Sequence, residues 1–164
     1  DKTLAITVNT TRAYRHEDGE VSPAQIKRVC EQLQQASPQQ LRLVITHQPV
    51  YVTEVRDESN LLHGYQAAVR AWAEAGADLI LGGHIHLPFV MALHEKRPDI
   101  RHRIWAVQAG TAVSTRIRRN AGNSINLIRY QARQTPCMVE RWDYTAAQQQ
   151  FVQVSAEALT LEAA

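Results

Sequence analysis

The apolar positions of this chain fall into two regimes. Up to about residue 88, short apolar runs alternate with stretches whose apolar residues recur at helical spacing; beyond it, strand-like runs follow one another. Leu4-Ala5-Ile6-Thr7-Val8-Asn9 reads as a first strand, followed by a polar stretch to Glu20 with the turn signal Asp18-Gly19. Ser22-Pro23-Ala24-Gln25 then opens a helix, with a capping serine, proline at the first helical position and a glutamine placed to reach back. Ile26, Val29, Cys30, Leu33 and Ala36 give its apolar face, and Ser37-Pro38 ends it. Leu41 to Thr46 is an apolar, partly β-branched run, as expected of a strand covered on both faces. Thr53 to Asn60 reads as a polar loop. A second helical pattern with Tyr65, Val69, Trp72 and Ala73 on one face stops at Gly76, and Ala77 to Leu81 is a third buried strand.

In the second regime, 89–94 and 104–108 flank a charged turn at Pro98-Asp99 and read as a hairpin. The runs 124–130, 137–142 and 151–154 predict a three-stranded antiparallel meander. The fold class is therefore α/β, with crossover strands and helices followed by antiparallel strands, in a single domain over 1–164. With 45% hydrophobic and 21% charged residues, a chain of 164 can bury one real core. A net charge of +2 neither demands nor excludes an anionic partner. No apolar run approaches a membrane span and no signal peptide opens the sequence, so a soluble, cytoplasmic protein with no membrane partner is expected. Cys30 and Cys137, far apart and in apolar settings, are expected to be reduced thiols. Asp1-Lys2-Thr3 leads straight into a strand without an initiator methionine, which gives the chain the look of a fragment.

Chemistry concentrates at two strand ends. Strand 41–46, helix 61–75 and strand 77–81 form one crossover unit, and such units set their strands parallel, with both C-terminal ends on one sheet edge. His47 follows the first strand and His84 the second, so their imidazoles are expected to converge. His86 joins them if the backbone stays extended past Gly82-Gly83. The carboxyl edge of a parallel sheet is the usual place for a ligand in an open α/β fold. His16, His63, His94 and His102 are each read as isolated caps, although His63, before the second helix, also lies on the side of the sheet where a substrate would sit. Lys96, Arg97, Arg101 and Arg103, with Arg116, Arg118 and Arg119, raise the possibility of nucleic acid. Only 6% of residues are aromatic and no stacking ladder accompanies the cations, so nucleic acid is not the expected partner.

Val44-Ile45-Thr46-His47-Gln48-Pro49 and Leu81-Gly82-Gly83-His84-Ile85-His86 resemble the last two signature blocks of the calcineurin-like metallophosphoesterases. Val21 to Ile26 and Ala109 to Asn126 are similar to stretches of members akin to bacterial cyclic-nucleotide phosphodiesterases. The resemblance implies a four-layer αββα sandwich of which this chain is the C-terminal part. It also implies a dinuclear centre of divalent or trivalent ions (Mn, Fe or Zn) that hydrolyses a phosphoester, His47 and His84 holding one ion and His86 the other. Arg116 and His63 would bind substrate. The family's Asp-x-His, Gly-Asp and Gly-Asn-His blocks have no counterpart here; Gly122-Asn123-Ser124 is the nearest approach. The catalytic residues and carboxylate ligands are therefore expected in a missing N-terminal half of the same protein, its principal partner, leaving this chain inactive alone. Sheet surface exposed by that absence would favour self-association into a homo-oligomer. The alternative of a different class is a degenerate, non-catalytic relative that uses the fold to bind a partner.

Overall fold

The computed structural model describes residues 2–15, 17–118 and 121–162. Its first regime is a parallel sheet built on crossover units: β1 (Thr3–Thr7), α1 (Pro23–Gln34), β2 (Leu41–Ile45), α2 (Tyr65–Glu74) and β3 (Leu79–Gly82). Helix α1 starts where its sequence dictates. Ser22 accepts from the Gln25 amide while the Gln25 side chain accepts from the Ser22 amide, a reciprocal capping box with Pro23 at the first turn. Helix α2 is followed by Gly76 at φ +91°, a left-handed position where an added Cβ would meet the Arg42 guanidinium at 2.7 Å.

β4 (Phe89–Ala92), the single-turn helix α3 (Leu93–Lys96) and β5 (Trp105–Gln108) complete the sheet in the order β1-β2-β3-β5-β4. β5 pairs parallel with β3 and antiparallel with β4, so the expected hairpin is present but sits inside the larger sheet. It also differs in detail, since its first strand gives way to α3 at Leu93. The charged residues of its turn are engaged locally: Arg97 pairs with Asp99 at 2.6 Å and donates to the Gln66 carbonyl of α2 at 3.2 Å. The polar stretch read as loop contains a 3-10 helix, Val55–Asn60, whose buried Asp57 returns below. The meander is as expected: β6 (Ser124–Arg129), β7 (Cys137–Thr145) and β8 (Gln150–Leu159) form a separate antiparallel sheet.

Neighbouring residues of one strand serve opposite cores. Val44, Ile80 and Ala106 pack with Val29, Leu33, Val69 and Trp72 of the helices, whereas Leu43, Leu79 and Val107 pack with Cys137, Val139 and Leu159 of the second sheet. This period-two division is why the strands are apolar at nearly every position. The layers among the described residues are thus helices, five-stranded sheet, three-stranded sheet. The outer helical layer implied by the four-layer expectation is not present among them, and Ile125 (40% exposed) and Val154 (52%) remain accessible. Both cysteines are free; burial pushes the Cys137 thiol up to about 11. No described helix is long and apolar enough to cross a membrane.

One buried ion pair joins the two sheets. Arg133, in the β6–β7 connection, forks onto Asp78 just before β3 at 2.8 and 2.9 Å, and its remaining donors go to the carbonyls of Pro38, Gln40 and Glu162. All five guanidinium hydrogens are therefore used in a site where both side chains are nearly inaccessible. Removing one partner strands the other's charge, so Asp78→Ala is expected to lower unfolding free energy by about 3–5 kcal/mol. Urea denaturation reads this directly, and a midpoint unchanged from wild type would contradict it.

Candidate functional site

The parallel register of β2 and β3, Ile45 opposite Leu81, continues beyond the strands: the Thr46 amide donates to the Leu81 carbonyl at 2.9 Å and the Gly83 amide to the His47 carbonyl at 3.0 Å. The turn after β2 is held by buried polar groups rather than by apolar packing. Thr46 Oγ1 donates to the Gln48 carbonyl at 2.9 Å, and Gln48, 1% exposed, receives a hydrogen bond from Thr10. His47 and His84 thus start from fixed, adjacent backbone. Their rings meet edge to face with centroids 4.9 Å apart, and His47 Nε2 lies 3.2 Å from His84 Nδ1. The convergence expected from the crossover is observed.

The glycines allow a close approach but do not supply the left-handed turn. Gly82 continues β3, and a Cβ there would meet the Gln108 side-chain oxygen at 2.5 Å; the Gln108 amide in turn donates to the Gly83 carbonyl. The left-handed backbone falls instead on the histidines, His84 at φ 69° and His86 at φ 56°. The condition attached to His86, an extended backbone, is therefore not met. Two left-handed residues turn the chain, and His86 Nδ1 is hydrogen-bonded to the Arg116 carbonyl at 2.6 Å. Non-glycine residues in this region carry about 1–2 kcal/mol of strain and cluster at functional sites.

A cavity of about 590 Å³ opens over these residues and is lined by Glu17, His47, Asp57, Asn60, His84, Ile85, His86, Arg116 and Arg118. It gathers the three histidines and Arg116 of the sequence reading. His63 is exposed and is not among the lining residues; its carbonyl accepts from Val21 and its amide donates to Asp18. His94 Nδ1 pairs with the Ile104 backbone, a local cap as expected. His102 is exposed, and His16 and Arg119 lie outside the described residues.

Two acidic lining groups, Glu17 and Asp57, escaped sequence reasoning, whereas Arg118 was among the cations it named. Glu17 sits in a polar turn beside His16, with nothing in its spacing to link it to strands far along the chain. Asp57 and Arg118, 61 residues apart, form a bidentate pair at 2.7 and 2.9 Å, with Glu54 adding a third contact to Arg118 at 3.0 Å. The Asp57 carboxylate, and to a smaller extent Glu54, raises the Arg118 pKa above its ordinary value. Burial, then the positive potential of His47 and His86, pushes the His84 imidazole below its ordinary value, opposed by Glu17. With facing nitrogens 3.2 Å apart, one ring of the His47–His84 pair offers a hydrogen and the other a lone pair.

The same separation suits a shared cation. Two imidazole nitrogens at about 2.0–2.1 Å from one ion at a near-tetrahedral angle lie roughly 3.3 Å apart. His47 and His84 fit as a two-nitrogen arm. A complete set is a different matter: among the described residues, no group of three or more His, Cys, Asp or Glu side chains is disposed to hold an ion. Asp57 is committed to Arg118, and His86 to the Arg116 carbonyl through Nδ1.

No protein-family model matches the chain, and no curated protein matches it in sequence. Among solved structures, it is similar to a Vps29 single mutant from Entamoeba histolytica, with TM-score 0.37 and 10% identity over 92% of this chain and 97% of that one. At that level the likeness carries no argument about fold or chemistry.

The strained backbone at His84 yields a stability prediction. His84→Gly removes the left-handed penalty of about 1–2 kcal/mol, offset in part by the lost contact with His47, so the metal-free chain is expected to gain about 1 kcal/mol. Chemical denaturation in the presence of a chelator checks this, and a loss of stability of similar size would contradict it.

Proposed function

We propose that His47, His84 and His86 are the imidazole ligands of a dinuclear metal centre that hydrolyses a phosphoester. The observation that carries this reading is the 3.2 Å approach of His47 Nε2 to His84 Nδ1 at the carboxyl edge of the parallel sheet. The supporting features are the strained turn that presents His84 and His86, and a cavity that receives all three rings. His47 and His84 hold one ion as neutral imidazoles, and the depressed pKa of His84 keeps its lone pair available. His86 serves the second ion, for which its Nδ1 contact leaves Nε2 as the free lone pair. Imidazole accommodates Mn, Fe and Zn alike. When bound, such a pair of ions supplies Lewis acidity and a nucleophile at neutral pH.

Arg116, exposed at the cavity rim, meets the phosphate anion of the substrate. The segments Val44 to Pro49 and Leu81 to His86 resemble, in order, the last two blocks of a metallophosphoesterase pattern. The carboxylates that keep two cations together, and the group that protonates the leaving oxygen, come in this reading from polypeptide beyond these 164 residues. Glu17, among the described residues the one carboxylate on the cavity wall without an ion-pair partner, lies close enough to influence His84 but does not replace a bridging ligand. The isolated chain then binds an ion weakly and turns over slowly or not at all.

Calorimetric titration of the chain with Zn²⁺ or Mn²⁺ tests the assignment. A single ion is expected to bind, with His47→Ala and His84→Ala each weakening it by more than about 100-fold, beyond the 10–100-fold effect of losing an outer-shell partner. Uptake that neither substitution changes would overturn it, as would a folded wild-type chain that takes up no ion; a non-catalytic binding role would then be favoured. Hydrolysis of bis(4-nitrophenyl) phosphate by the chain alone is expected at background, and rapid metal-dependent turnover would overturn the incomplete-site part of the reading.

A further inference from the structure

The hydrogen bonds of the Arg118 side chain go to acids rather than to the three histidines, and they tie it to the wall of their cavity. It makes a two-pronged contact with Asp57, itself 2% exposed, and a further contact with Glu54 at 3.0 Å. Both acids belong to the short 3-10 helical segment before α2, Asp57 within it and Glu54 at its cap. Two residues before Arg118, the Arg116 carbonyl accepts from His86 Nδ1 at 2.6 Å. We propose that Arg118 is a positioning residue: by anchoring the 111–118 segment to Asp57 and Glu54, it holds the Arg116 carbonyl where it fixes the tautomer of His86. This rests on the assignment of His86 as a ligand only for its functional meaning, since the tautomer exists in the metal-free chain.

The segment needs such an anchor because apolar burial does not hold it. Val113 is 92% exposed and Ile117 54%, so the two large apolar residues flanking Arg116 contribute little to docking it. Polar bonds define the loop instead. At its start the Ser124 amide of β6 donates to the Thr111 carbonyl at 2.8 Å, and Asn123 Nδ2 ties in the carbonyls of Thr111 and Ser114 at 3.2 and 3.0 Å. Those contacts hold the first half of the segment against the beginning of β6. The Arg118 fork ties its far end to the 3-10 segment, and a fork–fork pair fixes orientation as well as distance. A carbonyl only accepts, so the contact at 2.6 Å requires hydrogen on Nδ1 and leaves the lone pair of the neutral ring on Nε2. If the carbonyl drifts, the ring reverts to the mixture of tautomers seen in water, and at any moment a fraction has its Nε2 lone pair blocked.

The experiment is ¹⁵N–¹H correlation of the histidine side chains of the full chain, without metal and above the titration range of imidazole. Wild type is expected to show His86 with hydrogen on Nδ1, and Arg118→Ala to show it shifted toward the Nε2–H form, with His47 and His84 signals retained. A purely structural role would lower stability without changing the His86 tautomer. An unchanged His86 tautomer in a folded Arg118→Ala chain overturns the proposal. If that variant unfolds, Asp57→Asn, which keeps the partner's shape and removes its charge, is read by the same criterion. Zn²⁺ titration of the same samples separates the two claims. Absence of uptake by wild type removes the metal assignment while leaving the tautomer result standing; uptake with an unaltered tautomer in both variants removes the role of Arg118 alone.

Discussion

The site depends on the parallel register of β2 against β3. Ile45 opposite Leu81 sets the level at which the two chains leave the sheet, and the hydrogen bonds from Thr46 to Leu81 and from Gly83 to His47 carry that level into the turns. Shifting the register by one residue would exchange the two faces of every strand residue. Leu43 and Val44 would trade cores, and the same slip would carry His47 out of line with His84. The apolar division of the strands between the helical core and the second sheet is thus also what brings two imidazole nitrogens to 3.2 Å. Packing specificity and site geometry are one constraint here.

Around that fixed pair the structure spends stability. His84 and His86 occupy left-handed backbone that glycine would adopt freely, although glycines stand immediately before them. Gly82 is needed elsewhere, leaving room for Gln108, whose amide holds the Gly83 carbonyl. The turn is therefore braced from below by buried amides while its two histidines carry the backbone strain. Strain of this kind is expected where a side chain's position matters more than its comfort. The Arg133–Asp78 pair supplies a counterweight at the opposite end of β3, tying the β6–β7 connection, the β1–β2 crossover and the C-terminal segment to one carboxylate.

How much of this was legible in the sequence follows from the range of each interaction. The capping box of α1, the Gly76 stop and the crossover were readable because their determinants lie within a few residues of one another. The meeting of His47 and His84 was readable because the rule that governs crossovers is topological and needs no contact map. The 3-10 helix was not, since it buries only Asp57, and that burial depends on Arg118, 61 residues away. The path of His86 was misread for a related reason: an x-His-x-His spacing places two rings on one side only along extended backbone, and nothing local announces that both histidines are left-handed. The helical outer layer implied by family resemblance is likewise not found among the described residues, where the second sheet presents Ile125 and Val154 to solvent.

X-ray absorption at the zinc edge of the Zn²⁺-loaded chain addresses the central claim, that these imidazoles are ligands. The account predicts a first shell with nitrogen or oxygen at about 2.0–2.1 Å and the outer-shell scattering of two imidazole rings, lost in part when either His47 or His84 is replaced. A shell without imidazole scattering, or one identical in wild type and in both variants, would contradict it.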